Sequence, residues 1–237
     1  MQYHTHRADP PFWRHDAYSL RKLSGAIAKC IRQAKQLGYL QVGSIIVDLG
    51  CGDAPYKQML TESGARYIGC DISPGPHTDV LLADGGVVPL DANSVPCVTS
   101  FQVLEHVWDI DAYLGECRRL LSDDGLLILS THGSWLYHPH PTDFRRWTLD
   151  GLQRELSSRG FSVVSTWSIV GPLAWTTQFR TLGYHNLLGY LGWPGRLFSA
   201  LLCLFMYLRM SFEDCITPES IKRNNASTYL VLARVAG

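Results

Sequence analysis

Short runs of aliphatic, often β-branched residues alternate along this chain with segments whose apolar positions recur every three or four residues. The two periods predict buried strands and amphipathic helices in alternation. After an arm, residues 1–15, interrupted by Pro10 and Pro11, the segment Asp16–Leu37 carries Leu20, Leu23, Ile27, Ile31 and Ala34 at helical spacing, and Gly38 ends that helix. Ile45, Ile46 and Val47 read as a fully buried parallel strand. A helix over Tyr56–Ser63 follows, with Asp53 as its cap and Pro55 suited to its first turn. Further strands are expected over Tyr67–Cys70, Thr78–Leu82, Val95–Phe101 and Leu126–Ser130. The helix Asp109–Leu121 lies between the last two, and Asp123-Asp124-Gly125 reads as a turn. The helix Thr148–Ser158 stops at Gly160 and leads into a strand over Phe161–Val170, and a last strand covers Ser227–Val235. Strands alternating with helices predict a doubly wound, mostly parallel sheet with right-handed crossovers.

The stretch that organises the rest is Ser44–Pro55, SIIVDLGCGDAP. It places Asp48 at the end of a strand and two glycines, Gly50 and Gly52, where a ligand can approach the backbone closely. In open α/β sheets, ligands bind outside the carboxyl ends of the strands. The dinucleotide fingerprint wants a third glycine where Pro55 stands, and Asp48 and Asp53 would repel a pyrophosphate. The same carboxylates suit a ligand with an ammonium or a sulfonium. RYIGCD then ends in Asp71, about 20 residues on, the position from which a carboxylate can accept two ribose hydroxyls.

VDLGCG, the CD pair at Cys70-Asp71 and LLADGGVVPLDANSVPCVTSFQVLEHV together resemble the class I S-adenosylmethionine-dependent methyltransferases of the UbiE-like, methyltransferase type 11 family, over about residues 45–161. The resemblance implies a Rossmann-like seven-stranded sheet whose last strand inserts antiparallel between strands five and six. It implies S-adenosyl-L-methionine as cofactor, held by Asp48, Gly50, Cys51, Gly52, Asp71, Ile72, Asp84, Gly85, Phe101 and Gln102. In that scheme Asp84 accepts from the adenine amino group, the Gly85 backbone approaches the ring, and Phe101 and Gln102 line the methionine end. One domain is expected: residues 1–40 an arm and helix, 41–170 the cofactor-binding core, 171–225 a helical apolar insertion, 226–237 the last strand.

Thr131–Trp147, THGSWLYHPHPTDFRRW, is long for a loop leaving the fifth strand, and long loops tend to carry function. Transfer of a methyl group to a hydroxyl needs a base near the acceptor oxygen, and histidine suits that task near neutral pH. The expected catalytic residues are His138 and His140, with His106 after the fourth strand as a further candidate; Tyr137, Arg145, Arg146 and Trp147 are expected to hold the substrate. Two other readings of the loop stand beside this one. In one, it is a rigid lid whose histidines hydrogen-bond internally. In the other, His138-x-His140-x-x-Asp143 with His132 ligates a divalent cation. No metal is assigned.

The insertion contains the apolar run Leu197–Leu208 between Arg196 and Arg209, shorter than the about 20 apolar residues of a membrane span. It is expected to cover a hydrophobic pocket, to form a homodimer interface, or to lie on a membrane surface. Formal net charge is +0, which points away from nucleic acid. Seven cysteines without a Cys-x-x-Cys read as reduced thiols, and the polar N-terminus is unlike a signal peptide, so a cytoplasmic protein, peripheral at the membrane if the run meets lipid, is expected. The acceptor is expected to be a small molecule, a glycan or a glycolipid, methylated at oxygen. Methylation of a quinone or lipid-like acceptor at carbon, and a catalytically silent cofactor-binding subunit, are the alternatives.

Overall fold

The computed structural model of the protein describes residues 7–83 and 86–236. Its framework is a seven-stranded sheet of β1 (Ile45–Leu49), β2 (Arg66–Asp71), β3 (Val80–Leu81), β4 (Val95–Phe101), β5 (Leu121–His132), β6 (Phe161–Ile169) and β7 (Thr228–Val235). The strand order is β3-β2-β1-β4-β5-β7-β6. β7 runs antiparallel to both β5 and β6, and the other pairs are parallel. This is the mixed, mostly parallel sheet that the resemblance implies.

Alternation along the strands splits the core into two layers. On β5, Leu127 and Leu129 pack on one face with Leu114 and Leu120 of α3 (Ile110–Leu120) and Leu152 and Leu156 of α4 (Leu149–Ser157). Leu126 and Ile128 point the other way, onto Leu23, Ile27 and Ile31 of α1 (Ala17–Gln36). Both α3 and α4 start as their sequences dictate. The Asp109 carboxylate accepts from the Ala112 amide at 2.9 Å and the Thr148 hydroxyl from the Gly151 amide at 3.1 Å, filling N-cap positions.

Local pattern misjudges three places. α2 is a single short helix, Lys57–Thr61, with Tyr56 and not Asp53 at its cap, so Asp53 and Pro55 belong to the turn before it. β3 has two residues, not five. β5 begins five residues early and ends two late. Leu121 is fully buried and pairs with Val95, so Asp123-Asp124-Gly125 sits in an irregularity within the strand, where the register steps to Leu126 opposite Cys97. The late end keeps His132 on the sheet.

Between β6 and β7 the chain forms a helical hairpin, α5 (Pro172–Gly189) and α6 (Gly192–Ile216), then α7 (Glu219–Asn224). The hairpin closes tightly: a Cβ on Gly195 would fall 2.1 Å from the Leu188 carbonyl oxygen. Met206 and Met210 anchor α6 in the layer shared with α1. The Asp214 carboxylate accepts from the Tyr18 hydroxyl at 3.0 Å and the Gly171 amide at 2.9 Å and faces Lys222 at 3.2 Å. The opposite face of α6 is an apolar stripe. Leu197, Phe198, Leu201, Leu204, Phe205, Leu208 and Phe212 are 43–64 % exposed. The helix that carries the Leu197–Leu208 run has 25 residues and by length and composition alone is long and apolar enough to cross a membrane. Its buried face ties it to the body.

Candidate active site at the carboxyl edge of the sheet

The turn after β1 is tied to its neighbours by backbone. The Gly50 and Cys51 amides donate to the Cys70 carbonyl at 2.8 and 3.1 Å. Gly50 has φ +75°, and a Cβ there would meet Val103 at 2.4 Å. Gly52 has φ +50° with nothing within 4 Å of where a Cβ would stand, so this backbone faces open space. Asp71 accepts the Gly52 amide at 2.8 Å on one oxygen and the Ser73 amide at 2.9 Å on the other. Each carboxylate oxygen keeps acceptor capacity for a ligand hydroxyl. Ile72 beside it is 49 % exposed. These features fit an adenosyl ligand: open glycine backbone, a fixed carboxylate one strand away, and an exposed aliphatic side chain next to it.

Asp48 sits differently from the expectation. It is buried, and its two oxygens accept from the Tyr67 hydroxyl at 2.6 Å and the Thr99 hydroxyl at 2.7 Å. Desolvation pushes its carboxyl up to about 6 against the opposing hydrogen bonds. Its side chain is enclosed beneath the turn and does not open toward a sulfonium. The Cys51 thiol also turns inward, toward the His77 carbonyl, and burial pushes it up to about 12. Only the Cys51 backbone is left for a ligand. Phe101 packs edge-on against Tyr56, with ring centroids 5.0 Å apart. Gln102 (φ +58°) donates through its amide and Nε2 to the Ser130 carbonyl and hydroxyl, at 2.8 and 3.1 Å, which fixes the chain leaving β4. Asp84 and Gly85 lie outside the described residues.

One strand further along the same edge stands a cluster of imidazoles. After β4 a single 3-10 turn, Leu104–His106, drives the Glu105 side chain into the protein, where it is fully buried. Glu105 Oε2 accepts from the Thr131 hydroxyl at 2.8 Å; Oε1 has no hydrogen-bond partner among the described residues and lies 3.6 Å from His132 Nε2. Desolvation pushes the Glu105 carboxyl up to about 7 and holds His132 well below the usual histidine range. His132 stacks on Trp135, and its ring lies 4.8 Å from that of His138. His138 is half-buried. Its Nδ1 faces the Leu136 carbonyl at 3.2 Å and Asp143 at 3.4 Å, and burial lowers its pKa. His106 donates to the Thr142 carbonyl, its ring 5.0 Å from His138, and burial lowers its pKa too. His140 is exposed, its ring 6.2 Å from His138.

Three of these histidines were expected, from two separate stretches, and the structure brings them together. His132 was expected only in the metal-ligating reading of the loop, and Glu105 was not among the expected catalytic or binding residues. A histidine at the end of an otherwise apolar strand, and a glutamate three residues past another strand, were the available signals. The arginines do not behave as substrate grips. Arg145 donates to the carbonyls of Val107 and Trp108. Arg146 pairs with both Asp143 oxygens, at 2.5 and 2.6 Å, and donates to the Trp135 and Leu136 carbonyls. Both cations hold the loop in shape. Trp147 donates its amide to the His132 carbonyl, while its indole nitrogen is buried without a partner among the described residues. Tyr137 is exposed at the loop's outer face.

Residues 47–129 match the methyltransferase domain family. A probable S-adenosylmethionine-dependent methyltransferase of Mycolicibacterium smegmatis is 26% identical over 147 residues, 56% of this chain and 57% of that protein. A ubiquinone biosynthesis O-methyltransferase of Rhodopseudomonas palustris is 30% identical over 118 residues, 45% of this chain and 46% of that one. The chain thus spans about half the length of the curated relatives it matches. Among solved structures, the 1,6-didemethyltoxoflavin-N1-methyltransferase of Burkholderia thailandensis, with 1,6-didemethyltoxoflavin and S-adenosylhomocysteine bound, superposes with TM-score 0.56 at 16% identity, covering 92% of this chain and 79% of that one. Over residues 47–129 the sequence is similar to methyltransferase domains, and over nearly the whole chain the fold is that of the class I S-adenosylmethionine-dependent methyltransferases.

Proposed function

We propose that the protein transfers a methyl group from S-adenosylmethionine to a hydroxyl of a small-molecule, glycan or lipid-linked acceptor. The observation that carries this reading is the placement, on adjoining strands of one sheet edge, of an open glycine turn with Asp71 beside it and a cluster of imidazoles in which burial lowers the pKa of His106, His132 and His138. The Gly50–Gly52 backbone and Asp71 would hold the cofactor, Asp71 through the ribose hydroxyls. When bound, the cofactor supplies an electrophilic methyl on a sulfonium. The acceptor oxygen gives up its proton to the imidazole cluster as it takes the methyl, and the low pKa of His138 keeps that ring neutral and ready to accept. A relative in ubiquinone biosynthesis that methylates oxygen supports an oxygen acceptor over carbon.

The hairpin supports an acceptor met at a lipid surface. Its apolar stripe is continuous with Tyr190, Leu191 and Trp193 at the tip, and Arg196 stands next to them, an amphipathic arrangement suited to an anionic membrane surface. Isothermal titration with S-adenosylhomocysteine, with NAD as control, tests the first part; a methyl-donor assay over candidate acceptors follows. Absence of S-adenosylhomocysteine binding would overturn the enzymatic reading in favour of a silent subunit.

A further inference from the structure

The geometry points to a divalent transition-metal site formed by Glu105, His132 and His138. One nitrogen of each histidine and one oxygen of Glu105 lie within 4.8 Å of one another. Ligands held at about 2.0–2.1 Å around a tetrahedral cation stand roughly 3.3–3.5 Å apart. The Glu105–His132 pair, at 3.6 Å, is just beyond that spacing, and bringing in the whole set from within 4.8 Å takes a movement of the loop that carries His138.

A second observation concerns the Glu105 oxygen itself. A fully buried carboxylate oxygen without a hydrogen-bond donor is costly, and native proteins rarely leave one. Oε1 points at His132 Nε2, where a bound cation would satisfy both. The outer atoms of the three ligands are already held. Oε2 of Glu105 accepts from Thr131, His132 Nδ1 lies 3.4 Å from the Thr228 hydroxyl, and His138 Nδ1 faces the Leu136 carbonyl and Asp143. Metal-bound histidines are oriented by such partners on the far side of the ring. The nearby Arg146 charge is met by both Asp143 oxygens, so it does not oppose a cation unaided.

Two imidazoles and one carboxylate favour zinc and its neighbours over magnesium or calcium. Three protein ligands leave a fourth position open, as in catalytic rather than structural sites. A hydroxyl bound there would lose its proton more readily, to the neighbouring His106 ring or to water because His138 would then be a ligand and not the proton acceptor, and an acceptor alcohol would present as its alkoxide. That role deepens the proposed methyl transfer and rests on it; the site itself does not. The set keeps His132 and His138 from the metal reading of the sequence but replaces His140 and Asp143 with Glu105, because Asp143 is taken by Arg146 and His140 stands outside.

The test strips the purified protein with a chelator, adds Zn2+ or Co2+, desalts, and measures bound metal, the Co2+ visible spectrum and thermal unfolding. One equivalent of zinc, a tetrahedral-type Co2+ spectrum and a raised melting temperature are expected. Glu105→Gln and His138→Ala should each lose affinity at least about tenfold, the lower end of what even supporting residues contribute, while His140→Ala keeps it. Retention of metal by both first variants, loss in His140→Ala, or no retention by the wild type overturns the assignment. S-adenosylhomocysteine titration of the same samples separates the outcomes. Cofactor binding without zinc sinks the metal site alone; zinc without cofactor binding sinks the methyltransferase reading alone. It also shows whether each variant is folded.

Discussion

The carboxyl edge of the sheet and the α5–α6 hairpin handle polarity in opposite ways. At the edge, Asp48, Thr99, Glu105, Thr131 and His132 are polar and buried. On the hairpin, the stripe from Leu197 to Phe212 is apolar and open to solvent. Each arrangement costs free energy relative to the alternative. Buried polar groups at the edge are fixed in place by specific hydrogen bonds, so their positions are defined and their pKa values displaced, as chemistry requires. Among the described residues the exposed apolar side chains of the stripe are not packed into the core, and an apolar surface of this extent is the kind that contact sites have. One region holds its polar groups in fixed positions; the other leaves its apolar groups open, which under the proposed function is where a lipid surface would be met.

The sharpest break in that comparison comes from turnover. Removing the imidazole of His138 should lower methyl transfer by about 10²–10⁴-fold, the usual worth of a positioned proton acceptor, with S-adenosylhomocysteine affinity unchanged by calorimetry. A His138→Ala enzyme of normal rate would mean that the cluster is only a rigid lid. Next in size is the core against the stripe. Leu127→Ala, in the fully buried layer, should destabilise by about 2–5 kcal/mol, whereas Leu201→Ala, 61 % exposed on α6, should stay within about 0.5 kcal/mol by denaturant unfolding. A large loss at Leu201 would show that the stripe is covered in solution, as in a dimer.

Asp71→Ala should weaken S-adenosylhomocysteine binding by about 2 kcal/mol or more, because charge-assisted bonds to two hydroxyls are lost. Unchanged affinity by calorimetry would remove Asp71 from the cofactor site. The pH dependence of stability tests the edge in another way. The Asp48 carboxyl holds its proton up to about 6 in the folded protein, while unfolded aspartate titrates near about 3.9. The folded state therefore binds more protons between these values, and stability falls as pH rises from about 4 to about 6, by an amount on the order of 2 kcal/mol. Asp48→Asn should flatten that fall in a series of thermal melts. The smallest signal is expected from the hairpin: partial co-flotation with anionic liposomes at low salt, reduced by Leu201→Ser with Phe205→Ser. Wild-type protein that stays wholly at the bottom of the gradient would count against a lipid surface.

Much of this molecule is written in local pattern. Strand and helix periods, the start of α4 at Thr148, and the glycine turn at Gly50 and Gly52 each act within a few residues, so a linear reading locates them. The order of the sheet and the antiparallel insertion of β7 were legible through the resemblance, since strand pattern carries no information on which neighbour a strand pairs with. Tertiary structure decided the rest. It closed Asp48 in by Tyr67 and Thr99, carried β5 on to His132, spent Arg145 and Arg146 on loop carbonyls and Asp143, and turned Glu105 inward to meet His132 and His138. Those outcomes depend on which groups meet across strands and loops far apart in the chain, and on how much water the packing leaves them. A charged residue looks the same in sequence whether it faces a ligand or holds up the wall behind it; burial and partners tell the two apart.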